Sequence, residues 1–148
     1  MSKNIIALDI GTQSVRAAVV DVDGTIHGIA QVKHDVDSPQ PGWAQQNPGA
    51  WWENLCKATR QVLGETGIDG KSIAAIACCG QMHGPVGVDV QGNVTTPQVQ
   101  LWCDKRCGSQ CETLRRDHDE PGLAKIAGSS VNPAWTGLKV RWIRDNEP

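Results

Sequence analysis

Hydrophobic positions along the chain fall into short runs broken by turn residues. Ile5-Ile6-Ala7-Leu8-Asp9-Ile10 and residues 15–22 are two such runs, separated by Gly11-Thr12-Gln13-Ser14. Asp23-Gly24 follows, and then a mixed run over residues 25–32. This pattern predicts an antiparallel meander of three strands, its second turn set by the Asp-Gly pair. Ser38-Pro39-Gln40-Pro41-Gly42 can be neither helix nor central strand. Asn47 with Pro48 behind it reads as a helix cap and first position. Trp52, Leu55, Cys56, Thr59, Val62 and Leu63 keep helical spacing and predict the buried stripe, with Gly64 or Gly67 as the stop. Residues 73–79 form an unbroken apolar run, the pattern of a strand covered on both faces. Further strands are expected at 86–90 and 94–102 around Gln91-Gly92-Asn93, then helices near 108–116, 123–127 and 138–144. Strands first and helices later give an α/β fold without internal repeats.

Composition narrows the class. At 148 residues, 39% hydrophobic and 20% charged, the chain suits one globular domain. A chain of this size buries roughly 68–70% of its unfolded surface. Fourteen Lys and Arg against sixteen Asp and Glu leave a net charge of -2. That balance argues against a nucleic-acid or membrane-surface binder. No signal-peptide core or membrane-length apolar run appears, so a cytoplasmic location is expected. Six tryptophans with no Phe or Tyr make Trp and aliphatics the large core fillers. The six cysteines read as reduced thiols, since the adjacent pair Cys78-Cys79 bridges poorly. Cys103, Cys107 and Cys111 would share one helix face, and packing is favoured there over a metal site.

The first turn carries the most chemistry. Asp9, Gly11, Thr12, Gln13, Ser14 and Arg16 combine a strand-end carboxylate, a glycine turn, hydroxyl and amide groups and a cation. Turn N–H groups can cradle a phosphate, and a lone carboxylate can hold Mg²⁺ through water. The segment is not a P-loop, because Gly-Lys-Ser/Thr is missing and a strand follows. An ordinary glycine hairpin would use the same residues. Asp21 and Asp23 form a competing pattern, that of a haloacid-dehalogenase-type phosphatase nucleophile and its acid/base. Its partner residues are not found, and Asp23-Gly24 is a strong turn signal, so the turn is favoured.

Four further segments join these pieces. Residues 41–52 contain Gly42-Trp43, Pro48 and Trp51-Trp52 and resemble a stretch of the FGGY carbohydrate kinases. Gly80-Gln81-Met82-His83-Gly84 is similar to the sugar-contact turn of the xylulose kinases in that family. Leu101-Trp102-Cys103-Asp104-Lys105-Arg106 resembles the family's Leu-Trp-x-Asp-x-Arg, and residues 138–148 resemble the helix that follows. The resemblance implies a ribonuclease-H-like, actin-like ATPase domain, over residues 1–148, using ATP and Mg²⁺ on a small sugar. It places Gly11, Thr12, Gln13, Ser14 and Arg16 on the phosphate-contacting turn and Asp9 near Mg²⁺. Met82 and His83 fall on the sugar-contacting pair, and Trp102 and Asp104 on the wall of the same pocket. Trp and Met suit a sugar's C–H face, and His and Asp its hydroxyls. Trp43, Trp51 and Trp52 are expected to pack rather than touch substrate.

Two departures shape the expectation. Glycerol kinases of the family carry Arg-Glu where this chain has Met82-His83, which points away from glycerol and toward a ketopentose such as xylulose. The family's catalytic Asp and adenosine-binding motifs belong to a later part of the chain. The sequence therefore reads as the N-terminal portion of a sugar kinase, expected to be inactive alone because phosphoryl transfer needs a complete cleft. A non-catalytic sugar-binding or regulatory module of the same half fold is the alternative. A homodimer is left open.

Overall fold

The computed structural model describes residues 4–147, and the N-terminal meander forms as the pattern predicts. Strands β1 (Asn4–Ile10), β2 (Ser14–Asp21) and β3 (Ile26–Lys33) pair antiparallel in sequence order. Strand β5 (Ile73–Gly80) adds parallel to β1, giving the sheet order β3-β2-β1-β5. Helix α1 (Pro48–Thr66) is the crossover to β5, as a parallel pair requires. The described residues gather into two compact units. One holds the residues up to Val36 with Asn47–Gln81, and the other holds Asp37–Gln46 with the residues from Met82 onward.

The first unit is built on alternation. Ile6 and Leu8 of β1, Val15, Ala17 and Val19 of β2, and Ala30 of β3 point to one face and are buried. Ala58 and Val62 of α1 close over most of that set. Asn47 caps α1 through its side-chain oxygen, which accepts from Gly49 N at 2.7 Å, and Pro48 takes the first turn. Gly67, left-handed at φ 66°, closes the helix. The helical stripe is narrower than its spacing predicts: Trp52 is exposed and Cys56 only half-buried. Helix α1 lies mainly over β2 and β3 and meets β1 less.

Strand β5 corrects a second expectation. Its uninterrupted apolar run predicts burial on both faces, yet Ile76 is 69% exposed and residues 74–80 are all exposed. β5 is an edge of the four-stranded sheet, and its first residue, Ile73, is the one that packs against the core under α1. An apolar run reports what a strand can bury, and the cover itself is a tertiary fact.

The second unit is mainly helical. Helices α2 (Gly108–Asp117), α3 (Glu120–Ala127) and α4 (Thr136–Asn146) follow the expected order. Cys107, Cys111, Val131, Leu138 and Trp142 form its buried cluster. Cys107 and Cys111 are thus packed thiols, and burial pushes the Cys107 thiol up to about 11. The expected strands at 86–90 and 94–102 reduce to an isolated Val88–Val94 bridge and the short β6 (Val99–Gln100). Strand β6 pairs antiparallel with β4 (Gln45–Gln46). The turn expected between 86–90 and 94–102 forms, with the Asp89 carboxylate accepting from the Gln91 and Asn93 N–H groups. Among the described residues no helix is long and apolar enough to cross a membrane.

The Asp21–Asp23 pattern resolves as a turn brace. Asp21 Oδ1 accepts from Thr25 N at 2.9 Å and Asp23 N at 3.0 Å, and His27 Nε2 donates to Oδ2 at 3.1 Å. Gly24 supplies the positive φ of 86° that the turn needs. The Thr25 amide, helped by the Asp23 amide and His27, holds the Asp21 carboxyl below its usual 3.8. A depressed folded value gives stability that is present above the unfolded value and lost as pH falls through the folded one. Melting temperatures taken from neutrality down through the carboxylate range should therefore fall less in Asp21→Asn than in the wild type. Replacing Asn47 by Ala should lower unfolding stability by about 1 kcal/mol in urea titrations, the usual worth of a side-chain helix cap.

Candidate functional site

The turn between β1 and β2 is held from several sides. Gly11 N donates to Ser14 O at 2.9 Å, which makes it tight. A side chain at Gly11 would place its Cβ 3.2 Å from that same oxygen, so a Cβ-bearing residue would press the turn open. Thr12 Oγ1 donates to Gln81 Oε1 at 3.4 Å, and Gln81 N donates to Ile10 O at 2.9 Å. His34, which sequence reasoning did not single out, clasps the other side. Its N–H donates to Gln13 O at 3.0 Å and its Nε2 to Gly11 O at 2.9 Å. The other ring nitrogen, Nδ1, is buried without a hydrogen-bond partner among the described residues. No pattern marks this role, since it depends on where the end of β3 passes the turn.

Strand register gathers four chemically distinct side chains in one row. Cys79 of β5, Asp9 of β1, Arg16 of β2 and Gln31 of β3 are successive cross-strand partners. Arg16 Nη1 donates to Asp9 Oδ2 at 3.3 Å, and both remain substantially exposed. Cys79 Sγ lies 3.6 Å from Asp9 Oδ1 as a donor. Local desolvation by the neighbouring strands, reinforced by the Asp9 charge, pushes the Cys79 thiol up from its usual range. Beside the row, Gln13, Ser14, Arg16, Lys33 and His34 line a polar cleft of about 440 Å³, with the Asp35 carboxylate also on its wall. Ser14 is buried there, while Gln13 and Arg16 are exposed. A guanidinium, an ammonium and hydroxyl and amide groups in one cleft can bind a phosphorylated ligand.

The second unit carries the other candidate residues. Met82 and Trp102 are exposed on its surface. His83 stands at φ 65°, and among the described residues it is the one non-glycine in the left-handed region. Such a conformation persists where surrounding structure enforces it, often at functional sites. His83 lines a cleft of about 380 Å³ with Ala127, Ser129, Asn132, Ala134 and Trp135. Trp135 Nε1 donates to Ser129 Oγ at 3.0 Å, which orients the indole at the rim. Asn132 and Trp135 are additions that no local pattern in the sequence marks.

Asp104 departs from expectation. It is 1% exposed, so it has no face to offer a sugar. Its oxygens accept from Ala44 N at 2.7 Å, from Arg106 N at 2.8 Å and from the Arg106 side chain at 2.8–3.0 Å. Arg106 Nη2 also donates to Gln45 Oε1 at 2.7 Å. The guanidinium stacks on Trp43 at 3.8 Å and lies 5.2 Å from the Trp142 ring. Those two indoles meet edge to face at 5.5 Å. Asp104 is a brace, and Trp43 packs as expected.

Known proteins share this fold. Residues 4–148 match the model for the FGGY family of carbohydrate kinases, N-terminal domain. The chain belongs to this family. It is 33% identical over 144 residues to a glycerol kinase of Listeria monocytogenes, covering 97% of this chain and 29% of that one. The solved xylulose kinase of Rhodospirillum rubrum superposes with a TM-score of 0.88 at 30% identity, over 99% of this chain and 30% of that one. A Plasmodium falciparum glycerol kinase solved with ADP gives 0.86 at 18% identity, over 99% of this chain and 29% of that one, and shows the shared fold. The chain thus spans about 30% of the length of the kinases it matches. Its fold is that of sugar-kinase N-terminal domains, within the ribonuclease-H-like, actin-like ATPase class.

The brace in this FGGY domain has a measurable consequence. Asp104→Asn leaves a buried guanidinium without its counter-charge, and should lower unfolding stability by about 3–5 kcal/mol in denaturant titrations. A loss below about 1 kcal/mol would show that the pair is no brace.

Proposed function

We propose that this domain supplies the phosphate-contacting and sugar-contacting turns of an ATP-dependent carbohydrate kinase acting on a ketopentose such as xylulose. The observation that carries the choice of acceptor is the Met82-His83 turn, its His83 held left-handed at the edge of a cleft. Overall identity does not choose, because relatives named glycerol kinase and xylulose kinase stand at 33% and 30%. The residue pair favours the ketopentose. Met82 with Trp102 offers apolar surface to a sugar's C–H face, and the His83 imidazole offers a directed partner to a hydroxyl. An Arg-Glu pair, by contrast, would bring full charges to a small triol.

In this reading Thr12, Gln13, Ser14 and Arg16 steady the phosphates of ATP, and His34 keeps their turn in shape. The donor set at Asp9 fits Mg²⁺: one exposed carboxylate suits an ion that keeps most of its water and shares phosphate oxygens. When bound, Mg²⁺ neutralises phosphate charge. The base that takes the acceptor's proton is the family's catalytic Asp, supplied from outside these residues. Asp104 serves the sugar site by holding the loop that bears Trp102.

Steady-state phosphorylation by the protein carrying this domain, with sugar and MgATP varied separately, tests the assignments. Asp9→Asn should lower kcat by roughly 10²–10³-fold with the xylulose KM nearly unchanged, as for lost electrostatic stabilisation. His83→Ala should raise the xylulose KM and leave kcat largely intact, because its contact is the same in ground and transition states. Faster turnover of glycerol than of xylulose would overturn the choice of acceptor.

A further inference from the structure

Lys139 is fully buried, an unusual place for an ammonium group. Residues 135, 138, 139 and 142 make one helical stripe along α4, and Trp135, Leu138 and Trp142 are its apolar members. Packing alone would place an aliphatic side chain at 139. Among the described residues Lys139 forms no ion pair, so its desolvation is offset by other means. Its Nζ donates to three backbone carbonyls: Leu101 O at 2.5 Å, Gln100 O at 3.4 Å and His83 O at 3.4 Å.

Those carbonyls belong to the two segments that bear the proposed sugar contacts. His83 O is part of the left-handed turn, and Leu101 O immediately precedes Trp102. The two segments already press together, since a Cβ on Gly84 would lie 2.8 Å from Val99 Cγ1. A left-handed histidine is not a conformation the backbone prefers alone, and a charged donor on its carbonyl is a direct way to hold it. Burial pushes the Lys139 amine down, and the Asp104 charge pulls it back. Asp104 thus favours the protonated form that can serve three acceptors.

We propose that Lys139 is a positioning residue of the sugar site, fastening the Met82-His83 turn to the loop that carries Trp102. The proposal rests on the sugar-site reading given above and adds a residue that touches no sugar.

Amide exchange by NMR and xylulose titration of the full chain, wild type against Lys139→Met, test it. In the variant, amides of His83, Gly84, Trp102 and Cys103 should exchange about tenfold faster or more, the effect of one charged hydrogen bond, while α1 keeps its rates. The xylulose dissociation constant should rise by a similar factor at a temperature where both proteins are folded. A variant that merely melts earlier, with those exchange rates and the affinity unchanged, overturns the proposal. His83→Ala is the control for the site itself. If that variant binds xylulose as the wild type does, or the wild type binds none, the sugar-site reading fails, and the exchange rates alone decide whether Lys139 fastens the two segments. Should Lys139→Met not fold, a measurement on the wild type decides. Its Lys139 ammonium protons, seen in lysine-labelled protein, should show nuclear Overhauser contacts to the α-protons of His83 and Leu101, and their absence overturns the proposal.

Discussion

The helical unit depends on one buried ion pair. Asp104 and Arg106 are two residues apart, and their charged groups are almost wholly withdrawn from water. Such a pair is tolerated only when nearly every polar atom finds a partner. Here the partners come from the Ala44 amide, the Gln45 side chain and two tryptophan faces. The segment around β4 is thereby tied to the loop after β6, and the position of Trp102 follows. An apolar replacement could fill the volume, but it could not specify which backbone amide and which amide side chain must meet.

The sheet unit is organised by different means. Its core is aliphatic and needs no buried charge, because alternation along β1, β2 and β3 turns small and branched residues toward α1. The chemistry then falls to the opposite face. Antiparallel and parallel registers place Cys79, Asp9, Arg16 and Gln31 side by side, although they come from four strands. A one-residue slip in any strand would send its member to the core face. Register is therefore as much a part of this site as residue identity.

The two candidate turns share a construction. Each is gripped by a basic side chain acting on backbone carbonyls: His34 on Gly11, and Lys139 on His83 and Leu101. Lys139 lies wholly beneath the surface, whereas His34 also lines the polar cleft beside its turn. Backbone carbonyls are convenient targets, because irregular turns leave them without ladder partners. Holding them fixes where the neighbouring side chains and amides point.

Sequence by itself determined the strand meander, the capped helix α1, the later helices and the family, since each is written in local spacing or in short motifs. It also put Asp9, Arg16 and the Met82-His83 pair in view, because their neighbours in sequence are their neighbours in the turn. What it missed depends on distant partners. Lys139 stood in plain sight as a cation on an apolar stripe, but the carbonyls that justify it lie 38 and 56 positions away. Asp104 reads as a pocket carboxylate until Ala44 and Arg106 are seen to consume both oxygens. The apolar run of β5 reads as buried, yet only the sheet order and the limited reach of α1 leave it exposed at the edge. Local pattern states what a residue can do, and tertiary contact decides which of those capacities is used, because burial and hydrogen bonding are settled between segments.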